Sequence, residues 1–247
     1  MNTIWLRVYA LQLNLTADWQ SYRPYISPDR QLQAVKYLHH ADAVRTVFGE
    51  LLTRAAIVEL LGCDNALIQF AVGQYGKPSL QDAPNFHFNI AHAGEWVVGA
   101  FANEPVGIDV ECAGPTEDDL AKAVMSSAEL NHYLSLPEPE QTDYFYRLWT
   151  LKESFLKATG QGLSVDPTTL TIKRDEQGHL GCWQKNRRHP CSLRELPCDC
   201  RYCAAVCLLA EQMPPVQIEY KTMPWVKMNI DEGERQHGKV RILLQGP

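Results

Sequence analysis

The sequence predicts an α+β chain built as two similar halves. Three observations carry this. Short stretches with apolar residues at every second position, the period of a strand, recur along the chain. Two long stretches have helical periodicity, one from Ser27 to Leu61 and one from Thr142 to Thr159, and each precedes further strands. The turn-forming "NEP" at Asn103 to Pro105 lies between them and marks a boundary, giving units of residues 1–104 and 105–247. No internal sequence repeat accompanies the division, so the likeness of the halves rests on element order.

Taken in order, "IWLRVYAL" alternates Ile4, Leu6 and Val8 on one face and reads as a strand. The first helical region opens at "SPDR", with Ser27 as N-cap and Pro28 in the first turn, and Gly62 ends it. "ALIQFAV" reads as a strand, "GQYGKPSL" as a turn, and "FHFNIAHAG" with "WVVGAFA" as a hairpin. The strand "VGIDVE" follows the boundary. Helical patterns then cover Glu117 to Leu134 and Thr142 to Thr159, with "LPEPEQ" as the loop between them. "LTIKR", "LGCWQ" and "YCAAVCLLA" are strands, and the stretch from Pro214 has no clear pattern.

With 247 residues, 45% of them hydrophobic and 21% charged, the chain can bury a full core. A net charge of −6 argues against a nucleic-acid partner, because affinity for a phosphate backbone needs a surplus of Lys and Arg. Nothing resembles a signal peptide or the roughly 20 apolar residues of a membrane helix, so a cytoplasmic protein with no membrane partner is expected. Cys198, Cys200, Cys203 and Cys207 look at first like a zinc cluster. On one strand, however, the first two have the opposite parity from the last two and cannot converge, and paired C-x-x-C halves are missing. They are read as small buried hydrophobes.

The chemistry concentrates in two motifs. In "GIDVE", Asp109 and Glu111 are two apart on a strand and share a face, and two like charges side by side attract a cation. From that pattern alone a solvated strand edge with two acids is the favoured reading, and the helix that follows shifts it towards a cation site. In "RLWTLKESFLK", Trp149, Glu153, Leu156 and Lys157 fall on one helical stripe, with Glu153 and Lys157 at i, i+4. Lys152 reads as a surface ion pair, whereas Glu153 supplies the third carboxylate that a hard cation such as magnesium takes together with substrate phosphates. Lys77 on the Gly-Pro turn "YGKP" and His92 before Gly94 are candidate phosphate contacts, against a solvated turn lysine and a histidine satisfied within the fold.

In their order and spacing, "ISPDR", "RT", "YGKP", "FNIAHAGEWVVGAFA", "GIDVE" and "FYRLWTLKESFLKATGQGLS" resemble the 4'-phosphopantetheinyl transferases of the surfactin-synthetase-activating (Sfp) type. The resemblance is strong from Ile26 to Ser164 and traceable to Ala210. It implies a pseudo-two-fold symmetric α+β monomer that binds coenzyme A and magnesium between its halves, with the nucleotide end on 1–104 and the metal on 105–247. It further implies transfer of the 4'-phosphopantetheine arm to a serine of an acyl or peptidyl carrier protein, with release of adenosine 3',5'-bisphosphate. Carried over residue by residue, it makes Asp109, Glu111 and Glu153 metal ligands, Asp109 also part of the coenzyme A site, and Lys157 a pyrophosphate contact. His92 becomes a phosphate contact, and Arg30, Arg45, Thr46 and Lys77 hold the nucleotide end. Glu153 is the candidate general base, and Glu129 in "SSAEL" matches an acid with a supporting role in deprotonation.

The chain departs from the family in two places. Ala91-His92-Ala93 replaces a common Ser-His-Ser, which removes two hydroxyl donors, and Gln33 stands where some relatives carry a base. Val124 and Met125 are candidate carrier-docking residues beside Lys122, with burial in the core as the alternative. Two rival functions use the same acids: a magnesium-dependent nucleotide hydrolase and a non-catalytic carrier-binding module.

Overall fold

The period-two pattern of each strand decides which core it feeds. The computed structural model describes residues 3–73, 75–116 and 118–235. It arranges β1 (Leu6–Gln12), β4 (His87–Ala93), β5 (Trp96–Ala102) and β12 (Ile218–Lys221) in one sheet, in the order β12-β1-β5-β4. A second sheet has the order β6-β11-β10-β8-β7, from β6 (Val106–Cys112), β7 (Leu170–Arg174), β8 (Leu180–Gln184), β10 (Ser192–Leu196) and β11 (Tyr202–Leu208), with β9 (Arg187–Arg188) beside β8. A small ribbon pairs β2 (Phe70–Val72) with β3 (Pro78–Leu80).

Alternate residues of the two sheets feed three cores. Val8, Ala10, Val98 and Ala100 of the first sheet meet Val106, Ile108, Val110, Ala204 and Val206 of the second in an apolar seam. The opposite parity of the first sheet, Tyr9, Leu11, Val97 and Phe101, packs under α2 (His40–Leu61) and α6 (Met223–Arg235). Ala205 and Cys207 of the second sheet pack with Phe145, Leu148, Leu151 and Phe155 of α5 (Glu138–Thr159). On β6 this leaves Gly107, Asp109 and Glu111 on the α5 side. A register slip of one residue would drive Asp109 into the seam, so the position of the acids is strongly specified.

The halves share a plan. In each, a first strand (β1, β6) leads to a helix of 22 residues (α2, α5), and that helix ends in a left-handed glycine, Gly62 or Gly160. The first strand of each then pairs antiparallel with a later one, β1 with β5 and β6 with β11. Left-handed φ at the helix end suits glycine, which has no Cβ to clash. The chain crosses from the first sheet to the second between Ala102 and Val106.

Several expectations need correction. The first helical region is broken: α1 (Pro28–Ala34), capped by the Ser27 hydroxyl, stops before α2 begins at His40. Extending the buried stripe of Ala43, Val44 and Val47 backwards would place Lys36, His39 and His40 on the core face, so one continuous helix has no apolar face there. The "LPEPEQ" loop is mostly the first turn of α5, with Pro137 at the N-cap and Glu138 and Glu140 in the first turn; proline and acids favour a helix start. The helical region expected from Glu117 to Leu134 divides into α3 (Asp118–Val124) and α4 (Ser127–Ser135), parted by the Ser126–Glu129 capping box. "ALIQFAV" gives a 3-10 turn and only the short β2. The stretch from Pro214 returns to the first half, where β12 pairs parallel with β1 and α6 packs on α2. Glu117, expected to open a helix, and the tail beyond Arg235 lie outside the described residues.

Candidate active site

A close helix–strand contact sets up the site. A Cβ on Gly107 would overlap the Ser154 carbonyl and the Ala158 nitrogen, so only glycine lets β6 lie against the backbone of α5 at this point. Two residues further along β6, Asp109 faces α5 and accepts a hydrogen bond from Lys157 Nζ at 2.5 Å. Its other oxygen, Oδ2, is buried and has no hydrogen-bond partner among the described residues. Glu111 follows on the same face and accepts from Trp149 Nε1 at 3.3 Å. Glu153, one turn before Lys157, completes the acidic group.

The three acids perturb one another. Glu111 is pushed up to about 7 by burial, then by the Asp109 charge, with Glu153 adding to it against the Trp149 bond and Lys157. Asp109 is raised by burial, which Lys157 offsets in part. Glu153 is raised by burial and by Asp109, against Lys157. Three acids share one lysine, so Glu111 and Glu153, raised by burial and by the Asp109 charge, are short of counter-charge. Among the described residues no group of three His, Cys, Asp or Glu is arranged so that it could hold a metal ion; Asp109 is turned to Lys157 and Glu111 to Trp149. In donor chemistry the three still suit a hard cation: all are carboxylates, and one buried oxygen is unmatched.

Positive charge gathers beside them. His92, at the end of β4, is held below the usual histidine range by desolvation, then by the nearby Arg45 and Lys157, with Asp42 opposing. Arg45 Nε donates to the Gly94 carbonyl at 2.8 Å and Nη1 to Asp42 at 2.7 Å. Gly94 has a positive φ, and a Cβ there would overlap the Tyr202 hydroxyl, so the turn after His92 also needs glycine. Next to Arg45, Thr46 donates to the Tyr37 hydroxyl at 3.0 Å, which also accepts from Gln33; Gln33 in turn accepts from Arg30. Arg30 also pairs with the buried Glu50 at 3.0 Å. Tyr37, which sequence patterning did not single out, thereby links Arg30 to Thr46.

Three expectations fail at this level. Glu129 stands apart from the three acids and is held internally: its oxygens accept from Ser126 N, Lys152 Nζ and Ile172 N, all within 2.8 Å. Lys152 is no surface pair. It has no exposed side-chain area and donates to Glu129 and to the carbonyls of Val124, Pro167 and Leu170. Lys77 spends all three ammonium protons on the carbonyls of Val106, Lys157 and Ala158, so none is left for a nucleotide phosphate.

Val124 and Met125 belong to the core under α5, which excludes them as a docking surface, while Lys122 is exposed and paired with Asp119. Of the four clustered cysteines, Cys207 is buried, but Cys198 and Cys200 lie exposed in the turn before β11, contrary to their reading as core residues. Asn89 was also missed. It is buried, and its Oδ1 accepts from Ile108 N at 2.8 Å; its signal was a lone amide on the parity of β4 that faces the seam.

Among the described residues, no helix is long and apolar enough to cross a membrane. Residues 105–207 match the model of the 4'-phosphopantetheinyl transferase superfamily, and residues 14–104 match that of the 4'-phosphopantetheinyl transferase N-terminal region. The chain is similar to 4'-phosphopantetheinyl transferase Sfp of Bacillus subtilis, with 35% identity over 85% of this chain and 95% of that one. It is also similar to 4'-phosphopantetheinyl transferase psf-1 of Bacillus pumilus, 34% identical over 82% of this chain and 89% of the other. Among solved structures, a holo-(acyl-carrier-protein) synthase of Bacillus anthracis aligns with 44% of this chain and 96% of its own at 20% identity and a TM-score of 0.37. With both halves matched and more than a third of the residues shared with a relative along nearly its whole length, the chain belongs to the 4'-phosphopantetheinyl transferase superfamily.

Proposed function

We propose that this protein moves the 4'-phosphopantetheine arm of coenzyme A to a serine of acyl or peptidyl carrier proteins, using magnesium and releasing adenosine 3',5'-bisphosphate. The observation that carries the reading is the juxtaposition of three mutually repelling carboxylates with Lys157, His92 and Arg45. A pyrophosphate and an accompanying cation would call for acidic and basic groups side by side.

Asp109, Glu111 and Glu153 would hold the ion, which when bound neutralises charge on the pyrophosphate oxygens. Lys157, released from Asp109, turns its ammonium to those same oxygens and stabilises the charge that develops on them. The serine oxygen forms a bond to the β-phosphorus, the bond from that phosphorus to the bisphosphate oxygen breaks, and the serine proton passes to Glu153 directly or through a water. Glu129 is too fully engaged to compete for it. His92, Arg45, Thr46 and Arg30 line the nucleotide side. Arg45 brings a fixed charge, and His92 gains a proton as the phosphate docks.

In this reading residues 1–104 form the nucleotide-binding subdomain and the chain from 105 carries the metal site, with β12 and α6 returning to support the first sheet. The protein works as a cytoplasmic monomer. The test is to incubate it with an apo carrier protein, coenzyme A and magnesium, and weigh the carrier. A gain of one phosphopantetheine is the expected result. Nucleotide release without carrier modification would mean a hydrolase, and a stable unmodified complex would mean a binding module.

A further inference from the structure

β6 is the last strand of its sheet, so its outer edge has no strand partner among the described residues. Residues of one parity turn their peptide groups to one edge, so the Val106 carbonyl and the Ile108 amide both point outward there. Unpaired and shielded from water, such groups carry a cost comparable to a lost hydrogen bond. Both are met by side chains from the other half of the molecule. Lys77 Nζ donates to the Val106 carbonyl at 2.9 Å, and Asn89 Oδ1 accepts from Ile108 N at 2.8 Å. The same ammonium also donates to the carbonyls of Lys157 at 2.7 Å and Ala158 at 3.0 Å. These belong to the last turn of α5, where helix carbonyls lack partners and a cation is favoured.

We propose that Lys77 and Asn89 are positioning residues that replace a missing strand along β6 and lock it to the end of α5, holding Asp109 in register with Lys157 for transfer. The inference rests on the roles proposed above for Asp109 and Lys157. Its basis is connectivity. Asp109 follows the residue that Asn89 holds, and Lys157 is itself one of the residues that Lys77 holds. Three carbonyls converging on one point require three protons, which an ammonium supplies and no neutral side chain does. Lys77 therefore acts through the backbone, with no direct contact to coenzyme A.

The test compares wild type, Lys77→Met and Asn89→Ala in the carrier assay, with coenzyme A and with dephospho-coenzyme A, counting folded enzyme by circular dichroism. Both variants are expected to lose about tenfold or more in kcat, since misplacing a reacting group by about 1 Å can cost about a hundredfold. The ratio of KM values for the two cofactors should stay at the wild-type value. If Lys77→Met keeps its kcat and loses the discrimination between cofactors, Lys77 is a phosphate contact and the proposal falls. It falls equally if Asn89→Ala lowers the melting temperature but turns over at the wild-type rate per folded molecule. Should Lys77→Met fail to fold, Asn89→Ala decides alone, because an uncharged amide side chain cannot be mistaken for a phosphate-binding charge. An inactive wild type would overturn the transferase reading, whereas active variants beside an active wild type would overturn only this inference.

Discussion

Helix α5 carries two lysine–carboxylate pairs five residues apart, and they have opposite characters. Lys152 meets Glu129 at 2.7 Å with side-chain exposures of 0% and 5%, and Lys157 meets Asp109 at 2.5 Å with exposures of 29% and 4%. Five residues turn about 140° around a helix, so the pairs face different surroundings. Lys152 has four oxygen acceptors and Glu129 three donors, which leaves nothing for a ligand. Around Lys157 one Asp109 oxygen has no partner among the described residues, two further acids are raised by burial and then by the Asp109 charge, and the lysine is partly open to water. Saturated polar groups hold a fold together, and unsaturated ones wait for a substrate. The contrast separates structure from chemistry within one turn and a half of helix.

The sharpest way to break this contrast is to remove each lysine in turn. Lys152→Met leaves Glu129 charged and buried, which should cost about 3–5 kcal/mol, a fall of roughly 6–20 °C in melting temperature for a chain of this size. Lys157→Met also strands a buried carboxylate, but burial already raises Asp109 towards its neutral form and the lysine is partly exposed. Its melting temperature should therefore fall less than that of Lys152→Met, while kcat/KM drops by about 10²–10³, the usual loss when a transition-state charge partner goes. Thermal unfolding and the carrier assay read both quantities. Equal melting temperatures for the two variants would erase the distinction.

A smaller effect sharpens it. Because Glu111 is raised to about 7 in the fold from an ordinary glutamate value near 4.5, the folded protein binds its proton more tightly than the unfolded chain. The stability this gives is present below about 4.5 and is lost as pH rises towards 7. Magnesium needs the ionised acids, so its stabilising effect should run the other way, small at pH 5.5 and larger at pH 8. The melting temperature with and without magnesium at the two values measures this, and Glu111→Gln should flatten the difference. A magnesium effect independent of pH would mean that the raised acids are not its ligands.

The sequence was most legible where periodicity and chemistry agree. Alternation put Asp109 and Glu111 on one face of a strand, and helical spacing put Glu153 and Lys157 on one stripe; the fold brings those two faces together across Gly107. It was least legible where a long side chain chooses between partners. The residue types at Lys77 and Lys152 do not reveal that the oxygens waiting for them are backbone carbonyls and, for Lys152, the internal carboxylate of Glu129, contributed by segments distant in the chain. Asn89 was missed for the same reason, since a single bond to Ile108 on another strand defines it, and Tyr37 was missed because it meets Gln33 and Thr46 across the break between α1 and α2, which no repeating pattern marks. The return of β12 to β1 spans the whole chain and leaves no local mark in the residues that make it.

The most direct measurement of the account is the magnesium dependence of holo-carrier formation by wild type and Glu153→Gln after chelation. The unsaturated cluster predicts no transfer by either protein in chelator, recovery of wild type as magnesium is restored, and a variant that needs far more magnesium or stays silent at any concentration. Full transfer in chelator, or identical magnesium curves for the two proteins, would contradict it.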